Sequence, residues 1–434
     1  MESKFLTPEY RRSRNAYLLE CMFEYFVTLL ITDTFLANLL SHVGFSESEI
    51  GIISSIVSLA FIIQLFSLIL ARSTVSKKRI GILFDTVGQF FFLFLYVVPF
   101  LSLSDLWRKL LVLLCIGAGY VCKYLVSTIR YQWANSFVDP EKRASYSAVK
   151  EIVSLIGGMI FTVSVGAIYD AFVSSDNLIG GFLFIAILIL VVNICNLICH
   201  LLIKKDDPPA ENLPKKSFKA IFENTLQNKN FRKLLVVSIL WNCAKYSVLG
   251  FVGTFKYDLV SSAFDIGVIM LVVQIINMLG SVIRIFVSKP FGRYSDKTSF
   301  AKGFYVAMFF IVAAYACMML STKQTWFFIV LYQILFEVGN AGVGQNSFNM
   351  MYSYVDSNYI AEAMALQNCV GGICGFLCSL VAGQLLSLIK GANPVLLGIE
   401  LYAQQFLAIL SILFCIACIL FMKHKLMKEK VMKQ

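Results

Sequence analysis

Val138-Asp139-Pro140-Glu141-Lys142-Arg143-Ala144 returns 217 residues later, half of the 434-residue length, as Val355-Asp356-Ser357-Asn358-Tyr359-Ile360-Ala361. The same shift lays Ala148 on Ala365, Gly158 on Gly375 and Gly166 on Gly383. A shift one residue shorter lays Glu49-Ile50-Gly51-Ile52-Ile53 on Asp265-Ile266-Gly267-Val268-Ile269. Each match is weak alone. Together and in register, they read as one unit used twice.

The material around these matches is apolar. Hydrophobic residues make up 58% of the chain, charged residues only 15%, and the mean hydropathy is +0.76. Soluble chains carry about a quarter charged residues. The long apolar runs recur from end to end, which excludes a secreted enzyme, a nucleic-acid-binding domain and a single-span receptor. With ~20 residues for each apolar span and short loops, the length accommodates about twelve transmembrane helices. The pattern places them at 17–41, 49–71, 80–100, 108–132, 147–170, 180–203, 232–256, 265–289, 301–321, 325–350, 362–388 and 400–422.

Charge supplies the orientation. Of the 37 Lys and Arg, only Arg108, Lys109, Lys256, Lys323 and Lys390 fall on the external side if both termini are cytoplasmic. Lys123, Lys245 and Arg284 lie inside helices, and the rest sit on cytoplasmic segments, as the positive-inside rule requires. The net charge of +11 is therefore mostly topological, facing the lipid leaflet and not nucleic acid. The first residues are polar and lead into a full-length span, so no cleavable signal peptide is expected. No Asn-x-Ser/Thr sequon occurs, which favours a bacterial source and a plasma or inner-membrane location.

A polar loop from Lys204 to Lys233 separates six helices from six, with Asp206-Asp207-Pro208-Pro209 as a breaker. Phe218, Ile221, Phe222 and Leu226 then recur at helical spacing, as in a short interfacial helix. The expected organisation is an N-terminal six-helix bundle at 1–203, a central loop at 204–231 and a C-terminal six-helix bundle at 232–434. Two parallel halves of this kind place a solute site between them near the midplane.

Gly292-Arg293-Tyr294-Ser295-Asp296-Lys297, followed by Lys302-Gly303, is expected in the loop between helices 8 and 9. It resembles the loop motif of the major facilitator superfamily, Gly-x-x-x-Asp-[Arg/Lys] followed by a basic cluster. Val138 to Arg143 is similar to the family's loop after helix 4. The equivalent loop of the first half, Ala71 to Arg79, keeps the basic cluster but lacks both Gly and Asp. The resemblance implies an all-α polytopic membrane protein with twelve transmembrane helices in two pseudo-symmetric bundles. It also implies gating roles for Gly292, Arg293, Asp296 and Lys297, a cavity lined by helices 1, 4, 7 and 10, and a monomer. It does not name a subfamily. Helix 5 lacks the Gly-Pro pair of drug/proton antiporters, and the sugar-porter Pro-Glu-Ser motif is missing. Glu20-x-x-x-Glu24 resembles the acidic pair of peptide symporters, with the spacing off by one and no Arg following.

An ionisable group at the centre of a span costs about 2.5–3.5 kcal/mol on insertion scales, so each one needs a reason. Glu24 on helix 1 and Lys123 on helix 4 share a depth, as do Lys245 on helix 7 and Glu337 on helix 10. Each half thus holds one acid and one base. They can be ion pairs that offset each other's desolvation, or groups that bind solute and proton. Gln333 and Asn340 share a face with Glu337; Trp241 and Asn242 accompany Lys245; Ser127 and Arg130 follow Lys123. Asp33 falls on the opposite face of helix 1 from Glu24, so both reach one cavity only through a bend. Arg284 reads as a gate or pairing residue. Gln64, Asp85, Gln89 and Glu151 read as structural.

The twelve cysteines lie within helices and read as small apolar filler, and His42, His200 and His424 are scattered with no metal constellation. No catalytic residue, metal site or cofactor is expected. The expected function is a secondary active transporter moving a small polar organic solute, anions included, by alternating access with proton coupling. Its partners are then that solute, protons and membrane lipids. The alternatives are a proton-driven exporter of amphiphilic compounds and a transporter-like sensor or scaffold without net transport.

Overall fold

The computed structural model describes residues 7–71, 77–139, 143–204, 225–264, 267–355, 360–392, 395–396 and 399–427. These residues are almost entirely helical. The first half holds α1 (Pro8–Leu30), α2 (Asp33–His42), α3 (Glu47–Ser54), α4 (Ile56–Ala60), α5 (Ile63–Ala71), α6 (Lys77–Val97), α7 (Asp105–Ser136), α8 (Arg143–Ser174) and α9 (Leu178–Leu202). The second half holds α10 (Lys229–Tyr246), α11 (Val252–Ala263), α12 (Ile269–Lys297), α13 (Phe300–Met319), α14 (Phe327–Tyr354), α15 (Ile360–Gly391) and α16 (Ala403–Phe421). Before α16, β1 (Val395–Leu396) and β2 (Ile399–Glu400) pair antiparallel.

Helix starts follow local chemistry. Ser46 and Glu49 form a reciprocal capping box at α3. Asn177, Asn228 and Ser299 accept first-turn backbone N–H bonds at α9, α10 and α13. Pro8 occupies the first turn of α1, where its missing N–H costs nothing.

Among the described residues, ten helical segments are long and apolar enough to cross a membrane, and the bent pair α1–α2 makes eleven. The remaining expected span, 232–256, is broken: α10 ends at Tyr246 and α11 begins at Val252. The first expected span is broken too, with α1 and α2 meeting at 43°. Asp33 stands at that joint with φ +50, a left-handed value that Asp tolerates better than most residues. This is the bend that Asp33 and Glu24 require to share a cavity.

The outward surface is that of a lipid-facing protein. Phe94, Ile160, Ile187, Phe286 and Leu388 are exposed large apolar side chains on five different helices. Inside, small residues let helices approach. A Cβ on Gly119 would lie 2.4 Å from the Phe92 ring, and one on Gly158 2.5 Å from Tyr25.

Contacts divide the chain into two compact units. Unit 1 comprises Met1–Phe45 and Ile63–Pro214; unit 2 comprises Ser46–Ile62 and Lys215–Gln434. The second expected span is therefore shared, its α3–α4 portion packing on α15 within unit 2. There Ser48 Oγ donates to the Gly383 carbonyl at 2.7 Å. The core of unit 2 is aromatic-rich, with Phe231, Phe251, Phe255, Phe304 and Tyr315 all buried. In unit 1, Tyr10, Tyr17, Trp133 and Phe137 form a smaller cluster.

The closest backbone approach in unit 2 is testable. A Cβ at Gly250 would lie 2.1 Å from the Gly51 carbonyl oxygen, whereas Gly344 faces open space. Gly250→Val should lower stability by about 1–3 kcal/mol through overpacking, and Gly344→Ala should be neutral. Thermal unfolding in detergent reads both; equal midpoints for the two variants would contradict the packing.

One motif lies differently from its expected place. Gly292 to Lys297 is not loop but the last turns of α12, and only Thr298 and Ser299 separate α12 from α13. Nothing stops the helix until the Ser299 cap, and Pro290 is accommodated inside it. Residues 72–76 of the expected basic loop, residues 140–142 of the repeated stretch, and residues 205–224, where most of the expected interfacial helix falls, lie outside the described residues.

Candidate functional site

Unit 1 concentrates charge where four helices meet. Arg130 of α7 is buried, and its guanidinium is a three-way fork. Nη1 donates to Asp85 Oδ1 of α6 at 2.9 Å, while Nη2 donates to Glu24 Oε2 of α1 at 2.6 Å and also to Glu20 Oε1. The planar fork suits two carboxylates at once. Lys123, on the same face of α7, adds the second cation. Its Nζ lies 3.2 Å from Glu24 Oε1 and donates to Thr28 Oγ1 at 2.9 Å.

Asp85 is the hub. Its Oδ2 accepts from Gln89 Nε2 and Asn196 Nδ2 and meets His200 Nε2, each at 2.9 Å. The last two residues come from α9. His200 is 1% exposed and stacks on Trp133, with ring centroids 6.2 Å apart. Two buried carboxylates, Glu20 and Asp85, and the partly exposed Glu24 are thus offset by two cations and a ring of neutral donors. Burying each ion alone would cost several kcal/mol, and the shared bonds of the network offset that cost.

Glu20 Oε1, Asp85 Oδ2 and His200 Nε2 lie within 4.8 Å of one another, the spacing of a metal-ligand set. The expectation that the histidines are scattered fails here: distant in sequence, His200 converges on two acids in space. Arg130, however, is already bonded to both carboxylates and supplies the positive charge that a divalent ion would bring. A metal added there would repel the guanidinium, so the donor set fits an ion-pair network better than a metal centre.

Beside the network, a narrow cleft is lined by Glu24, Thr28, Asp85, Gln89, Phe92 and Lys123. The Glu24–Lys123 pair is partly open, with side-chain exposures near one fifth. The lining offers two acids, one base, an amide, a hydroxyl and an aromatic face. Asp85 and Gln89, read from the sequence as structural, therefore border the cleft.

Unit 2 is arranged differently. Lys245 is half-buried in the last turn of α10 and makes no ion pair or hydrogen bond to a described residue. Its Nζ lies 5.4 Å from the Tyr246 ring centroid, and Glu337 and Arg284 are the charged groups that act on it electrostatically. Glu337 accepts a long bond from Asn340 Nδ2 at 3.5 Å. Gln333 is buried beside Glu337 and Gly280, where it packs α14 against α12.

The other expected residues are mostly occupied within their own elements. Trp241 belongs to the apolar core of unit 2. Asn242 Nδ2 turns back to the Ser238 carbonyl at 2.8 Å, and Ser127 Oγ turns back to the Tyr124 carbonyl at 2.9 Å. Arg293, Asp296 and Lys297 are exposed at the end of α12, while the neighbouring Ser295 is buried. Gly292 is half-buried near Gln345, and Arg284 lies half-buried farther back on α12. Lys256, expected on the external side, is instead buried in α11 and donates to Asn277 Oδ1 at 2.7 Å.

Solved structures share the whole fold at low identity. A nucleoside transporter, NupG, is 15% identical with a TM-score of 0.68, covering 98% of this chain and 100% of that one. A bacterial homologue of the human lysosomal transporter Spinster, inward-facing and unoccupied, is 15% identical with a TM-score of 0.68, covering 97% of both chains. A bacterial homologue of the iron transporter ferroportin, outward-facing with soaked iron, is 14% identical with a TM-score of 0.59, covering 98% and 100%. No curated protein matches the chain in sequence. The sequence model of the Major Facilitator Superfamily matches residues 16–379, most of the length, and with that match the chain belongs to this family of membrane transporters.

Proposed function

We propose that the protein is a proton-coupled secondary transporter of a small polar organic solute, anions included, working by alternating access of its N- and C-terminal halves with both termini cytoplasmic. The observation that carries this reading is the unit 1 network, in which Glu20, Glu24 and Asp85 share Arg130 and Lys123 beside a cleft. Buried groups of both signs at one depth are expensive in a membrane, and exchange of partners between solute and proton gives that cost a use. The breaks in α1–α2 and α10–α11 fall at corresponding positions of the repeat, and paired interruptions of this kind border solute sites in duplicated transporters. On this reading Glu24, Lys123, Lys245 and Glu337 meet the solute or proton, and Arg284 with the end of α12 contributes to gating.

The test has two stages. Purified protein is screened by thermal shift against nucleosides, amino acids, short peptides, organic anions, sugars and divalent cations. The stabilising compound is then followed into proteoliposomes with and without an imposed pH gradient. Accumulation beyond equilibration under the gradient is expected. Uptake that is the same with and without it would refute coupling, and a stabilising ligand that never crosses would refute transport.

A further inference from the structure

His200 carries an asymmetry that the ion-pair network does not use. Asp85 Oδ2 already accepts from two amide N–H groups, so the His200 Nε2 that meets it at 2.9 Å must carry a hydrogen. The other ring nitrogen, Nδ1, is buried and has no hydrogen-bond partner among the described residues. Two more buried atoms of the same cluster, Asn196 Oδ1 and Gln89 Oε1, are also without a partner among them. A purely structural knot would not leave a nitrogen lone pair and two amide oxygens unanswered, because an unpaired buried polar group is costly.

The charge balance bears on the lone pair of Nδ1. Glu20, Glu24 and Asp85 contribute three negative charges, while Lys123 and Arg130 contribute two positive ones. With a neutral His200 the cluster is one charge short; with an imidazolium it is neutral. The elements packed around the ring supply few other charges. Tyr17 and Cys21 on α1 are neutral side chains. Lys78 of α6 caps the end of α9 at the Leu201 and Ile203 carbonyls, and Lys150 of α8 lies over the Tyr17 ring. Cys199 on α9 itself is a buried thiol. Trp133 stacks on the imidazole, and Lys78 Nζ also lies over the Trp133 ring, 5.9 Å from its centroid.

We propose that His200 is the proton-accepting group of unit 1, binding one proton at Nδ1 while Nε2–H stays fixed to Asp85. The proton comes from water and returns to it, and no other bond changes. This rests on the coupled-transport reading, within which it locates the coupling proton on the sixth span of the repeat rather than on Glu24, Glu337 or Asp33.

The experiment uses the fact that the chain has only three histidines. With His42→Gln and His424→Gln, His200 is the sole imidazole, and the full-length protein with ¹⁵N-labelled histidine is titrated by NMR from about pH 5 to about pH 8. Expected is a single transition from doubly protonated ring to the Nε2–H tautomer. A ring that keeps one state throughout, or that sheds its Nε2 hydrogen, overturns the proposal. So does broadening of the signal by Mn²⁺ alone, which would make the trio a metal site. In proteoliposomes, His200→Gln keeps a donor toward Asp85 but cannot bind a proton. It should lose gradient-driven accumulation of the solute found by screening while retaining solute exchange, and retained accumulation overturns the coupling role. If the unaltered protein shows no gradient response, the transport reading falls, and the NMR titration still decides the proton site by itself.

Discussion

Arg130→Gln should be the most damaging single substitution in unit 1, lowering stability by about 3–5 kcal/mol, because it leaves buried carboxylates without their shared cation. Glu20, Glu24 and Asp85 all bond to this one guanidinium, and Glu20 and Asp85 are themselves nearly inaccessible. Glutamine can reach one acid but cannot offset three charges. The loss is electrostatic and therefore reversible by charge. Removing one acid as well, in Arg130→Gln/Asp85→Asn, should recover a substantial part of the lost stability even though it deletes a second native group. Thermal unfolding of the detergent-solubilised single and double variants makes the comparison. Additive damage in the double variant would mean that Arg130 holds unit 1 together by packing and not by charge.

That substitution also shows where the sequence was legible. The apolar runs give most of the spans, as α9 shows, expected at 180–203 and found at Leu178–Leu202, but α12 runs to Lys297 where its expected end is 289. Shared depth along α1 and α7 places Glu24 opposite Lys123, and the two do pair. Depth says nothing about rotation, however. α9 is apolar almost all round, so nothing in its pattern reveals that Asn196 and His200 turn inward. Asp85 and Gln89, one turn apart on α6, give the same signal whether they face a neighbour or a cleft. The breaks were hidden for a related reason. No Gly or Pro marks Ile31–Thr32, and packing of α1 and α2 overrides the local continuity of the apolar run. In the second half Gly250 does mark the break, and Lys256 beyond it lies buried in α11.

Lys245→Met should produce the opposite phenotype to Arg130→Gln: a protein no less stable than the original that has lost its solute. Lys245 has no ion pair or hydrogen bond to a described residue, so its removal leaves no acid stranded at contact distance. The insertion cost of a half-buried ammonium disappears with it. What goes is a cation held beside Tyr246 at the break between α10 and α11, with Glu337 and Arg284 biasing it from opposite signs. A charge-assisted bond from this ammonium to a solute is worth about 1.5–3 kcal/mol, so affinity should fall roughly tenfold to hundredfold. Lys123→Met provides the contrast, since it breaks the pair with Glu24 and the bond to Thr28 and should reduce stability and binding together. Thermal midpoints of both variants, with and without the solute found by screening, separate the two roles. If Lys245→Met binds that solute with unchanged affinity, the unpaired lysine is not where unit 2 holds it. The binding charge then has to come from Arg284 or from the unit 1 cleft.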